Sequence, residues 1–149
     1  MQTSNFTALI PDCISEVLET MYFTSITESG PATTVELAPK HYSYNLSFVG
    51  QVSGYFGLSL SDATARNLTA NFLGEDEADL SDDEVSESVG ELANMFCGSV
   101  MSRVGASEKF VLSHPKPVEN LPDPAAVSML EISTDAGPVL VWVTVDGSL

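Results

Sequence analysis

Gly90-Glu-Leu-Ala-Asn-Met-Phe-Cys-Gly98 lies in the middle of a long amphipathic stretch, Asp82 to about Val104, and the rest of the chain is read outward from it. At 100° per residue, Val85, Val89, Leu92, Phe96 and Val100 cluster within roughly 80° of one another. Glu87, Glu91, Asn94 and Gly98 gather on the opposite side, within roughly 60°, with Gly90 beside them. Glu91 and Asn94 are three residues apart, so on a helix they point the same way. An amide is no base near neutral pH, but it hydrogen-bonds and orients a water or a phosphoryl oxygen. The pair therefore reads as positioning chemistry aimed at a docked partner. Each glycine inside a helix costs about 1 kcal/mol relative to alanine. Gly90 and Gly98 fall on or beside the exposed face, where they add nothing to a core. With Glu87 they read as docking positions, the glycines giving room for a partner backbone.

Just upstream, Glu75 to Glu87 holds eight acids in thirteen residues. It lacks the sixth-position glycine and the acid spacing of an EF-hand loop, so it reads as a solvated linker and helix start. Ser81-Asp-Asp-Glu84 matches a capping box, which places the helix start there. Acids in the first turn also complement the helix dipole. Asp62 to about Leu73 is expected as a helix capped by Asp62 and closed by Gly74. Before it, Tyr42 to Val49 and Tyr55 to Leu60 alternate with period two, joined by a hairpin over Gly50–Gly54. A first helix is expected from Pro11 to Phe23, with Pro11 in its opening turn and Ile14, Val17, Leu18 and Met21 on its apolar face. Ser29-Gly-Pro-Ala32 reads as a break and Val35–Ala38 as a short strand.

Downstream, Gly105 is expected to end the long helix. Phe110–Ser113 reads as a strand running into His114-Pro-Lys-Pro, whose prolines suit a sheet edge or an exit. Ala126–Ser133 and Pro138–Val145 form a final hairpin turning at Asp135–Gly137. The order is helix, three strands, helix, then helix, three strands, a candidate internal duplication. Ser15–Phe23 faintly echoes Ser88–Phe96, and the same comparison displaced by one residue sets Glu19 against Glu91 and Tyr22 where Asn94 stands.

Composition bounds the function. A chain of 149 residues has the size of one domain, residues 1–149, and is long enough for a sizeable core. With 21 acids against 5 bases, the net charge is −16. Nucleic acid and anionic membrane surfaces both need clustered cations, so neither is an expected partner. The charge favours partners that offer basic side chains. No positive region precedes Lys40 and no apolar run is long enough to span a bilayer, so a cytoplasmic protein is expected. Cys13 and Cys97 have no metal-ligand spacing and read as reduced thiols, with a disulfide the lesser alternative. No Walker A loop, dinucleotide fingerprint, zinc spacing or nucleophile constellation occurs. His41 and His114 stand alone and read as surface or satisfied side chains.

By itself Glu-x-x-Asn is unspecific, since solvated helix faces carry it by chance. Its setting is specific. The motif lies in a glycine-flanked helix, after the hairpin Gly50-x-x-x-Gly54-x-x-Gly57-x-Ser-Leu-Ser61, a helix and an acidic linker, and before Val-Leu-Ser-His-Pro115. From about Leu9 to the C-terminus this order resembles the CheC/CheX/FliY family of response-regulator phosphatases, and within it the CheX branch. CheC-type members carry the Glu/Asn motif in both halves, whereas here Tyr22 replaces the first asparagine. A FliY-type protein is expected to carry a further motor-switch domain. The chain departs from the family pattern at Glu87, Cys97 and Ser99, on or near the docking face.

The resemblance implies an α+β, CheC-like fold, in which two pseudo-repeats of helix plus three strands form a sheet with long helices packed against it. It implies an aspartyl-phosphate phosphatase acting on a phosphorylated CheY-like response regulator, with Glu91 and Asn94 catalytic. Asn94 would orient the attacking water and Glu91 would bind the receiver's phosphate-site lysine. No cofactor or metal of its own is implied, Mg²⁺ being supplied by the receiver, and a homodimer is expected. The alternative from another class is a non-catalytic adaptor that sequesters a receiver domain or motor component.

Overall fold

The computed structural model describes residues 3–32, 38–104 and 109–146, with backbone only for 3–6 and 146. The elements are α1 (Thr3–Met21), β1 (Ile26–Pro31), β2 (His41–Val49), β3 (Ser53–Ser61), α2 (Asp62–Leu73), a 3₁₀ turn (Glu77–Asp79), α3 (Asp82–Val104), β4 (Val111–Leu112), β5 (Lys116–Pro117), β6 (Ser128–Thr134) and β7 (Gly137–Asp146). The strands form one seven-stranded sheet in the order β1-β6-β7-β3-β2-β4, with β5 also on β2. All its pairings are antiparallel.

That order is a palindrome of the two halves. The hairpins β2–β3 and β6–β7 meet at the centre through β3–β7, and the first strand of each half crosses over to the other half's hairpin. Thus β1 pairs with β6, while β4 and β5 pair with β2. The expected duplication, α+β fold and packed helices are all present. One face of the sheet supplies Leu46, Phe48, Phe56, Leu58, Leu60, Ile132, Val139, Val141 and Val143 to a core shared with the three helices. These alternate along each strand, as period two requires.

Three expectations need correction. Ser29-Gly-Pro is no break: it lies in β1, where Pro31 is in register with Leu130. β1 is an end strand of the sheet, where a residue without an N–H is tolerated. The expected strand at Val35–Ala38 falls mostly on 33–37, outside the described residues, as does the helix end at Gly105.

α1 begins well before Pro11, which sits inside the helix. An interior proline costs about 3 kcal/mol. Ile10, Ile14 and Leu18 are fully buried, and burying each contributes roughly 1.5–3 kcal/mol, so packing wins. The helix stops at Met21, two residues early. Phe23 takes the left-handed conformation (φ 52°), and Met21, expected inside, is 42% exposed.

The third correction is one residue wide. α2 is capped by Ser61, whose hydroxyl accepts from the Thr64 N–H at 3.3 Å, and Asp62 is its first helical residue. Asp62 instead accepts from the Arg66 side chain one turn on, at 3.0 Å. Gly74 closes the helix with φ 70°.

Candidate functional site

The start of α3 is held from several sides. Ser81 and Glu84 form the capping box, each backbone N–H donating to the other's side chain at 3.1 Å. Asp82 accepts from Lys40 at 2.9 Å and from Arg66. The Lys40 hydrogen bond, reinforced by the two positive charges, holds the Asp82 carboxyl below its ordinary value. Farther along, Arg103 pairs with Glu16 of α1. Val85, Val89, Leu92, Phe96 and Val100 are all buried, as their spacing requires.

With that stripe fixed inward, Glu87, Glu91 and Asn94 are exposed on the outer side of α3. Neither the Glu91 carboxylate nor the Asn94 amide is engaged in a hydrogen bond or ion pair with any described residue. The two side chains border a groove of about 420 Å³ lined by Tyr44, Glu87, Gly90, Glu91, Asn94, His114 and Pro115. Among the described residues no cluster of three or more His, Cys, Asp or Glu side chains is placed to hold a metal. The groove thus presents two carboxylates, an amide and an imidazole, which can hydrogen-bond to and orient a ligand brought by another molecule.

The two glycines do different things. Gly90 is buried, and a Cβ there would lie 3.3 Å from Cε1 of Tyr44. Its missing side chain lets β2 come close, and the Tyr44 hydroxyl meets the Ser86 hydroxyl at 2.5 Å. The expectation that Gly90 adds nothing to packing is therefore corrected: it seats the groove floor against the sheet. Gly98 lines a separate hollow with Met101, Ser102, Lys109, Phe110 and Leu112.

Sequence reasoning missed Tyr44 and His114 as groove residues. The period-two alternation of β2 sets Tyr44 on the same face as Leu46 and Phe48, but only the pairing of that strand under α3 brings it to Gly90. His114 was set aside as a lone histidine, and nothing local to Ser-His-Pro shows what lies across from it. His41 does match expectation: its Nδ1 lies 2.8 Å from the Ser43 hydroxyl, which in turn meets Ser59 at 2.7 Å.

In the first half, Tyr22 is fully buried and stacks on Phe72 at 4.9 Å. Its hydroxyl has no hydrogen-bond partner among the described residues. Burial, with the Glu91 charge adding to it, pushes the Tyr22 phenol well above its ordinary value. Cys13 and Cys97 are free and buried.

The family model described as chemotaxis phosphatase CheX matches residues 42–127, more than half of the chain. The chain belongs to the CheX family. Solved structures share its fold across nearly its whole length. The chemotaxis protein CheX of Vibrio vulnificus matches with a TM-score of 0.78 at 20% identity, covering 98% of this chain and 99% of that one. A CheC-like superfamily protein from Shewanella sp. PV-4 matches at 0.74 and 20% identity, covering 98% and 100%. A chain of the CheX–CheY–BeF₃–Mg²⁺ complex from Borrelia burgdorferi matches at 0.70 and 19% identity, covering 94% and 97%. No curated protein matches the sequence. The CheX-type, CheC-like fold expected from the Glu91/Asn94 setting is thus established. No described helix is long and apolar enough to cross a membrane.

Proposed function

We propose that this CheX-family chain hydrolyses the aspartyl phosphate of a CheY-like response regulator by inserting Glu91 and Asn94 into the receiver's active site. The observation that carries the reading is the exposed, unpartnered Glu91/Asn94 pair on the rim of a groove, held on a helix fastened at its first turn. The Borrelia relative's complex with CheY, BeF₃ and Mg²⁺ supports the choice of partner.

The chemistry suits an amide. As the water oxygen bonds to phosphorus, the bond to the aspartyl oxygen breaks and leaves a carboxylate, a stable anion that needs no general acid. What the reaction lacks is a water held in line, and Asn94 has both a donor and an acceptor to hold it. Phosphoryl transfer depends mainly on such positioning and on charge stabilisation. Glu91 pairs with the receiver's phosphate-site lysine and fixes the insertion depth. The receiver supplies Mg²⁺, and this chain contributes no metal or cofactor. Glu87 and the α3 face around it carry docking.

The protein is further inferred to be a cytoplasmic homodimer. Val49 and Val111, opposite each other at the outer edge of the sheet, are 56% and 71% exposed and suit such a contact.

The test is phosphate release from a phosphorylated CheY-type receiver with Mg²⁺ and sub-stoichiometric amounts of this protein. Release accelerates, and Asn94→Ala lowers the rate on the order of 10²-fold while binding persists. Binding without any acceleration would leave the adaptor reading in its place.

A further inference from the structure

The edge strand beside the groove is out of step with its neighbour. Phe48 pairs with Leu112 and Asn45 with Lys116. Between these pairs β2 has two residues, Leu46 and Ser47, whereas the edge has three, Ser113, His114 and Pro115. Ser113 takes the place opposite Ser47: its N–H donates to the Ser47 carbonyl at 2.9 Å, and the Ser47 N–H donates to the Ser113 hydroxyl at 2.8 Å. The surplus falls at His114-Pro115, where Pro115 has no N–H to offer the ladder. An extra residue of this kind bends the strand and re-aims a side chain. Here the side chain is His114, exposed and on the wall of the groove that holds Glu91 and Asn94. β4 and β5 pin the segment on either side, so the position is fixed by the sheet.

The groove's charges give the histidine a task. Glu87 and Glu91 face it from α3, and Tyr44 of β2 is engaged with Ser86. Among the described residues that line the groove, His114 is the one whose side chain is able to carry positive charge. Such a wall repels an anion except at the imidazole.

We propose that His114 is a recognition residue for the phosphorylated state of the receiver, its ring N–H donating to an oxygen of the phosphoryl group. This rests on the phosphatase reading and adds a state-selective contact to it. Asn94 acts on the water, and His114 makes the docked complex favour the receiver that carries the phosphoryl anion.

The experiment compares wild type, His114→Ala and His114→Gln. It measures affinity for one CheY-type receiver, unmodified and beryllofluoride-activated, together with steady-state phosphate release. His114→Ala weakens binding to the activated receiver about tenfold, the size of one lost hydrogen bond to a charged group. It leaves affinity for the unmodified receiver unchanged, and raises KM with kcat unchanged. His114→Gln, which keeps a donor, restores part of the loss. Equal weakening toward both receiver states, a fall in kcat at constant KM, or no effect would each overturn the proposal. If wild type neither releases phosphate nor binds the activated receiver more tightly, the phosphatase reading fails as well. That outcome is read from wild type alone, so the two failures are distinct.

Discussion

Helix α1 leads into β1–β3 and α3 into β4–β7, and the palindromic sheet gives the two helices equivalent places. The residues that the sequence echo sets against each other differ in burial. In α3, Glu91 and Asn94 stand exposed beside a groove. In α1, Glu19 is exposed but Tyr22 is fully buried against Phe72. A ring of that size turned inward adds to the core, whereas an amide turned outward is free to act on a partner. One half buries its helix face in packing, and the other leaves it exposed beside a groove.

Converting one half to the other is the strongest way to test this difference. Tyr22→Asn, which restores the motif in α1, buries an amide in a cavity the ring had filled. It costs about 3–5 kcal/mol, read by denaturant unfolding, and creates no second active site. Rising phosphate release per chain in that variant would show that burial does not separate the halves. Tyr22→Phe removes only the unpartnered hydroxyl, so it is neutral or stabilising by up to about 1 kcal/mol.

A smaller effect sharpens the α3 side. Ser81→Ala removes the hydroxyl that accepts from the Glu84 N–H and costs about 1 kcal/mol. Hydrogen exchange then rises first around Asp82, while the Phe96 region stays protected. Uniform loss of protection along the helix would mean that the cap is not a local fastening.

The last effect is one of pH. Burial pushes the Cys97 thiol up to about 12, from an ordinary value of 9.0. In the unfolded chain the thiol ionises near its ordinary value, and in the folded chain it does not. The stability contribution is therefore full below pH 9.0 and is lost as pH rises toward about 12. Cys97→Ala flattens that alkaline decline, as a denaturation series across the window will show. Native alkylation of Cys97 at pH 8 as fast as in the unfolded chain would contradict its burial.

The long helix was legible because several local signals agree along it. A capping box, a stripe of period 3.6 and a hairpin of period two upstream are properties of neighbouring residues, and local geometry enforces them. Glu91 and Asn94 were legible for the same reason: once the stripe faces inward, the opposite face is exposed. Ser29-Gly-Pro misled because proline signals a break except on an end strand, and end-strand status depends on which strands pair. Pro11 misled because burial of Ile10, Ile14 and Leu18 outweighs a local penalty.

The sequence by itself determined the order of helices and strands and the outward Glu91/Asn94 pair, because spacing along one element settles which residues share a face, and the α+β class followed from the resemblance that this order carries. Only the tertiary structure decided that Gly90 seats α3 on Tyr44, that Gly98 belongs to another hollow and that His114 lines the groove. Each of those depends on the register between segments distant in the chain. That register is set by packing and by the hydrogen-bond ladder, and no local stretch encodes it.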